Sequence, residues 1–243
     1  MAGKEIFDDS SIPNLYTEQR KNYEEYVFKS FSWQFIEKPL LDRELQCLAS
    51  PESRILDAGC GAGRTLSYLL DRGYPASNLI GVDINKDMLE ISSQKAPKTQ
   101  LVRADLENLP FPPNHVDLIM CNHVLHYFDE RKFAATMATF FRTLKPKGSL
   151  LWLIVHPVRT IKNNLDQYLD RRWLMDKTPW GTNSPLHYKP VSDLVNLTVN
   201  AGFKLKSIIE PEVTLQGKLL DPENYEKYAS SPSRLVVIAN KDS

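Results

Sequence analysis

The sequence has no surplus charge of either sign: thirty Lys and Arg are matched by thirty Asp and Glu. Binding to nucleic acid draws much of its affinity from phosphate contacts and ordinarily needs a basic excess, so no nucleic-acid partner is expected. Cysteine is scarce. Cys47, Cys60 and Cys121 are odd in number, far apart and without CxxC spacing, which argues against a disulfide framework and a zinc site and fits a reducing compartment. Long apolar runs are missing as well. The longest, residues 149–155, has strand length, so no membrane partner is expected. The first residues, MAGKEIFDDSS, lack the apolar stretch of a secretory leader. With no address visible, the expected location is the cytoplasm. No repeat or low-complexity segment interrupts the chain.

The rest of the composition is that of a folded protein. Hydrophobic residues make up 42% and charged residues 25% of 243 positions. That suits one large α/β domain, or a core with a small cap.

Residues 1–50 are rich in aromatics and charge. Their spacing predicts a helix over about 17–30 and another over about 36–49, with Pro39 in the first turn of the second. Pro51 marks a boundary. An alternation follows. Strands are predicted at 54–57, 79–83, 100–104, 116–121 and 149–156, and helices at 62–71, 86–95 and 130–144. Residues 157–189 break this rhythm and are expected to form an inserted cap or loop. A helix over 191–201 and strands at 204–209 and 234–239 complete the chain, the last two strands placed to pair antiparallel. The expectation is an α/β fold with a doubly wound, mainly parallel, seven-stranded sheet. A helical N-terminal cap would cover residues 1–50, and the domain proper would run 51–243 with the insert at about 157–189.

The informative segment is ILDAGCGAGR, residues 55–64. A glycine-rich turn after a strand, opening a helix, lets the backbone approach a ligand and points free N–H groups at it. By itself it is equally a tight turn with no ligand. Asp83 ends the second strand, where a carboxylate can accept from both ribose hydroxyls. Asp105 follows the third strand, placed to accept from an exocyclic adenine amine. A glycine loop and two acids at three successive strand ends argue for a nucleoside across the sheet edge. A nicotinamide enzyme would carry G-x-G-x-x-G. Here Gly59, Gly61 and Gly63 alternate and Arg64 stands where the third glycine should fall, which disfavours a pyrophosphate.

These motifs, with LIGVDIN, VDLIMCNHVLHYF and LKPKGSLLW, resemble the class I S-adenosylmethionine-dependent methyltransferases, in particular their small-molecule branch, over roughly residues 50–156. The resemblance implies a Rossmann-like methyltransferase fold. It implies S-adenosyl-L-methionine as cofactor, S-adenosyl-L-homocysteine as product, and a small-molecule acceptor at O, N or C. Carried over by residue, Asp57, Gly59 and Gly61 would line the methionine end. Asp83 would hold the ribose and Ile84 would pack on adenine. Asp105 and Leu106 would meet the adenine edge and face. Asn122 and His123 would approach the methionine moiety and the acceptor. Cys60 reads as a small filler.

His126 is the candidate general base, with packing or hydrogen bonding as its other reading. His156, His187 and Tyr188 are candidate substrate contacts. So are Tyr16 and Tyr26 in the N-terminal segment, which could act as a lid, and Trp180 in the insert, with Trp173 beside it. His123 and His126 lie three apart but no third ligand follows, so no metal is expected. A protein or tRNA methyltransferase, and a cofactor-binding protein without catalysis, stay open as alternatives. The oligomeric state is not legible.

Overall fold

The computed structural model describes residues 11–242. The reading of the first ten residues as lacking a leader lies outside them. Aromatic-rich helices come first. The predicted helix over 17–30 is two: α1 (Ile12–Glu18) and α2 (Arg20–Val27), parted at Gln19, whose backbone leaves helical geometry (φ −102°, ψ 16°). A π-helical turn, Trp33–Glu37, then runs into α3 (Lys38–Leu48). Trp33, Phe35, Ile36 and Glu37 are all buried in this turn.

The sheet strands are β1 (Ile55–Ala58), β2 (Leu79–Asp83), β3 (Gln100–Arg103), β4 (Val116–Asn122), β5 (Leu144–Val155), β8 (Lys204–Ile209) and β9 (Arg234–Asn240). Their order is β3-β2-β1-β4-β5-β9-β8, parallel from β3 to β5, with β9 antiparallel to both neighbours. Alternate residues separate the two faces. Leu118 and Met120 of β4 pack with Leu41 and Leu45 of α3 and with Leu66 and Leu69 of α4 (Arg64–Asp71). Ile119 and Cys121 pack with Phe133, Met137 and Phe140 of α6 (Glu130–Thr143) and Leu194 of α8 (Val191–Asn200). Both faces are covered, so the central strands are apolar throughout. Trp152 Nε1 donates to Thr198 Oγ1 at 3.1 Å, tying α8 to the sheet. Trp152 is therefore core. Helix α5 (Lys86–Lys95), capped by the Asn85 side chain, fills the β2–β3 crossover.

Strand β5 starts earlier than the predicted 149: Leu144 pairs with Val116 and Ser149 with Leu118, so Lys145–Gly148 bulges from the ladder. The insert holds a short helix α7 (Pro157–Thr160) and a two-stranded hairpin, β6 (Arg172–Lys177) with β7 (Asn183–Tyr188). Between β8 and β9 lie α9 (Leu215–Leu220) and α10 (Pro222–Ala229), where the sequence suggested only a connection. Among the described residues no helix is long and apolar enough to cross a membrane, and no group of three His, Cys, Asp or Glu could hold a metal.

Candidate active site

The strand order reverses at β1 and β4, which opens a crevice at their carboxyl ends. The glycine turn lies there. Gly59 and Cys60 donate their N–H groups to the Val82 carbonyl at 2.8 and 2.9 Å. Gly59 is left-handed (φ 77°), and a Cβ on it would lie 2.2 Å from Val124 Cγ2. The segment after β4 thus packs directly on the turn's backbone, and only glycine fits. Gly61 (φ 51°) donates to Asp83 Oδ2 at 2.8 Å, and Asn85 N donates to Asp83 Oδ1 at 2.8 Å. Two backbone donors therefore aim the Asp83 carboxylate, and each oxygen keeps a lone pair for a ligand. Burial raises the Asp83 pKa, and the backbone donors oppose that.

A cavity of about 480 Å³ extends from this turn, of the size that suits a small ligand. Gly59, Gly61, Asp83, Ile84, Asp105 and Leu106 line it at one end, with Asn122 and His123 further along. Asp105 is already engaged: Oδ1 accepts from Glu107 N at 3.1 Å and Oδ2 from Lys132 Nζ at 3.0 Å. Asp57 lies beneath the turn, off the wall. Its Oδ2, like Oδ1 of Asn122, is buried with no partner among the described residues. Burial pushes the Asp57 carboxyl up to about 7, Arg64 lowering and Asp83 raising it. Two orphaned acceptors beside a glycine cradle fit a ligand that brings N–H or O–H donors, as the amino-acid end of S-adenosylmethionine would.

The N-terminal helices and the insert roof the cavity with aromatics. Tyr16, Tyr23 and Tyr26 place their ring centroids 5.9, 5.1 and 5.7 Å from Trp180. Tyr16 also shares a 2.9 Å hydrogen bond with the Tyr127 hydroxyl.

Glu37, brought inward by the π-helical turn, was not legible as a site residue. It is 1% exposed. Oε1 accepts from Arg234 Nε at 2.8 Å and from His123 Nε2 at 3.1 Å, and Oε2 from Arg64 Nη2 at 3.1 Å. Burial pushes this carboxyl up, but His123, Arg64 and Arg234 outweigh it and hold it well below 4.5. His123 itself is left-handed (φ 61°), with its N–H on the Leu153 carbonyl at 2.7 Å. Such a backbone is sparsely populated for a side-chain-bearing residue and has to be held by its surroundings. Arg64, Arg234 and Glu37 all line the cavity. Arg64 had a signal, since it ends the glycine motif.

His126 lines the cavity near His123, its ring tilted against Tyr127 at 4.1 Å and its Nδ1 without a partner among the described residues. Burial depresses its imidazole well below 6.5, helped by His123, Lys189 and Arg234. Tyr16, Tyr26 and Trp180 line the cavity too. Three expected substrate contacts do not. His156, at the end of β5, donates from Nε2 to Glu210 Oε1 at 2.8 Å and accepts at Nδ1 from Val158 N, capping α7. His187 turns away into the hairpin, edge-on to Trp173 at 5.1 Å and 3.7 Å from Glu130. Tyr188 is buried, its hydroxyl on the Tyr168 carbonyl at 2.9 Å. Ser184 and Leu186 of β7 line the cavity, so alternation turns His187 to the other face beside Trp173, while Tyr188 is held off the wall by Tyr168. Lys189, 2% exposed, bonds the Phe128 and His187 carbonyls and fastens the hairpin to the segment after β4.

The fold and this site combine a doubly wound α/β sheet with a glycine-lined crevice at the strand ends. Residues 55–148 match the family model described as a methyltransferase domain. An uncharacterised protein of Haemophilus influenzae is 27% identical over 235 residues, 85% of each chain. The ubiquinone/menaquinone biosynthesis C-methyltransferase of Ectopseudomonas mendocina is 32% identical over 109 residues, 42% of each chain. An S-adenosylmethionine-dependent methyltransferase from Mesorhizobium loti superposes with a TM-score of 0.66 at 22% identity, over 88% of this chain and all of that one. The match thus spans less than half of the characterised relative's length, and the likeness to the solved structure is one of fold. Residues 55–148 thus match a methyltransferase domain, and the chain shares the fold of S-adenosylmethionine-dependent methyltransferases of known structure.

Proposed function

We propose that this methyltransferase acts on a small molecule that enters the cavity beyond Asn122 and His123. The observation that carries the reading is the continuity of one cavity. It runs from the glycine turn and Asp83 to a chamber walled by Tyr26, His126, Trp180 and Arg234. A roof of packed aromatics leaves little room for a folded macromolecule, and the balanced charge offers nothing for a phosphate backbone.

S-adenosylmethionine supplies a methyl group already activated on a positive sulfur. In this assignment the chain binds and aligns. Asp83 takes the ribose hydroxyls, and Ile84, 42% exposed, offers a face to adenine. Leu106 and Asp105 meet the rest of the base. Asp57 and Asn122 take the amino-acid end. Tyr16 and Tyr23 stand over this half, and Tyr26 and Trp180 over the acceptor. Positioning can lower a barrier by roughly 7–11 kcal/mol. A general base contributes about 3–5 kcal/mol, from its usual 10²–10⁴ in rate. Shape and water exclusion therefore carry most of the catalysis, and His126 serves chiefly as an acceptor-chamber wall. The three cysteines are unpaired, which supports a reducing, cytoplasmic setting.

Incubating the protein with methyl-labelled cofactor and separate small-molecule, RNA and protein fractions tests this. Label should appear in the low-mass fraction. Label confined to RNA or protein contradicts the reading.

A further inference from the structure

The acceptor half of the cavity carries a buried cation with donor capacity to spare. Arg234 is 6% exposed and lines the wall. Its Nε is committed to Glu37 and its Nη1 to the Ser233 carbonyl at 3.0 Å. Its Nη2 has no acceptor among the described residues. Arg64, the other guanidinium on Glu37, is occupied differently: it donates to the Val27 carbonyl at 3.3 Å and stacks 4.3 Å from the Trp33 ring. Arg64 also feels the buried Asp57 carboxyl, whereas Glu37 is, among the described residues, the one carboxylate hydrogen-bonded to Arg234. Asp176 also reaches the cavity, but from the exposed rim, where Arg159 and Lys162 face it. A buried guanidinium without full compensation is costly unless an anion completes it. Guanidinium is also the side chain whose planar fork matches a carboxylate.

We propose that the acceptor is a carboxylic acid whose carboxylate seats on Arg234 and is itself methylated. This rests on the small-molecule methyltransferase reading. Arg234 Nε and His123 Nε2 share one oxygen of Glu37, so Arg234 stands beside the segment that follows β4, where the methyl end of the cofactor would lie. A carboxylate oxygen gives its lone pair to the methyl carbon while the S–CH3 bond breaks and its pair returns to sulfur. The −1 acceptor and the +1 sulfonium become a neutral methyl ester and a neutral thioether. No proton moves, so no base is required, in keeping with the weakly basic and partnerless His126. The neutral ester no longer pairs with Arg234, which favours its release.

Two measurements test the proposal. In the first, protein and tritium-methyl cofactor are incubated with matched panels: benzoate, hexanoate, succinate and 4-hydroxybenzoate, against benzyl alcohol, hexanol, hexylamine and phenol. Label released as volatile methanol by mild alkali reports methyl esters. In the second, calorimetry measures the binding of the same acids to protein loaded with S-adenosylhomocysteine. The expected result is base-labile label from acids and none from the neutral panel. Arg234→Gln should lower kcat/KM and acid affinity by about a hundredfold, with S-adenosylhomocysteine affinity unchanged, and Arg234→Lys should restore part of both. Methylation of the neutral panel alone, acids neither bound nor methylated by a protein that binds cofactor, or acids handled equally well by Arg234→Gln overturns the carboxylate proposal. Failure of the wild type to bind cofactor would instead strike the underlying methyltransferase reading. Loss of cofactor binding in Arg234→Gln would mark Arg234 as structural and likewise overturn it.

Discussion

Glu37 and Arg234, 197 positions apart in sequence, meet at 2.8 Å with both side chains buried. The contact fastens the N-terminal helices to the last strand, and His123 and Arg64 complete it. Removing one member of such a cluster leaves charge uncompensated, at a cost of about 3–5 kcal/mol. Glu37→Gln should therefore lower the melting temperature sharply at pH 7. The Glu37 carboxyl is depressed in the folded state, so its stabilisation is present above the unfolded value, near 4.5, and is lost as pH falls through the depressed native value. The melting-temperature gap between wild type and Glu37→Gln should hold from pH 7 to about 4.5 and close only below that. A gap that closes between pH 7 and 5 contradicts the assignment.

Gly59→Ala should cost both stability and cofactor affinity. The left-handed backbone alone is worth about 1–3 kcal/mol. The added methyl also drives into Val124. Val124→Ala on the Gly59→Ala background should recover part of the loss, because it removes the clash and leaves the strain. Thermal melts of the two single variants and the double variant check this, and strict additivity would remove the contact from the account.

Cofactor binding should depend on pH through Asp57. Its carboxyl titrates at about 7, raised chiefly by burial. A cationic amino group nearby favours the ionised form. Binding below pH 7 then releases a proton, and affinity should rise from pH 6 and level off above 7. Calorimetry in buffers of different ionisation enthalpy reads the proton directly. Asp57→Asn should flatten the profile, and a wild-type profile that is already flat counts against Asp57.

His126→Gln should reduce acceptor kcat/KM while cofactor affinity stays put. Because burial holds the imidazole well below 6.5, no ascending limb centred near 6.5 should appear in the wild-type pH–rate profile. A limb there that the variant abolishes would restore His126 as the base.

Local features were the legible ones. Gly59, Gly61, Asp83 and Asn122 could be placed because each sits within a strand or the turn after it, and the strand alternation fixes which end of the sheet they share. The mainly parallel, seven-stranded sheet was legible from the same alternation, but its strand order was not. Glu37 and Arg234 were invisible because their meeting depends on a π-helical turn and on β9 entering beside β5, neither of which has a local signature. His156, His187 and Tyr188 were misplaced for the converse reason. They stand near the right strand ends, but side-chain direction depends on register, and β7 pairs with β6 instead of joining the main sheet. Helix α9 lies in a segment the sequence suggested only as a connection, and it contains Gly217. Here it is buried, and a Cβ would lie 3.0 Å from Phe31 Cζ, so the glycine serves close packing on the aromatic N-terminal segment.

Everything about the site depends on a nucleoside sulfonium lying across the carboxyl ends of β1, β2 and β4. Calorimetric titration of S-adenosylhomocysteine into wild type and Asp83→Ala tests that most directly. One-to-one binding is expected for the wild type, weakened in the variant by about 10- to 100-fold for the lost charge-assisted acceptor, with the fold intact by circular dichroism. Wild-type protein that does not bind, or a folded variant that binds equally well, would contradict the account.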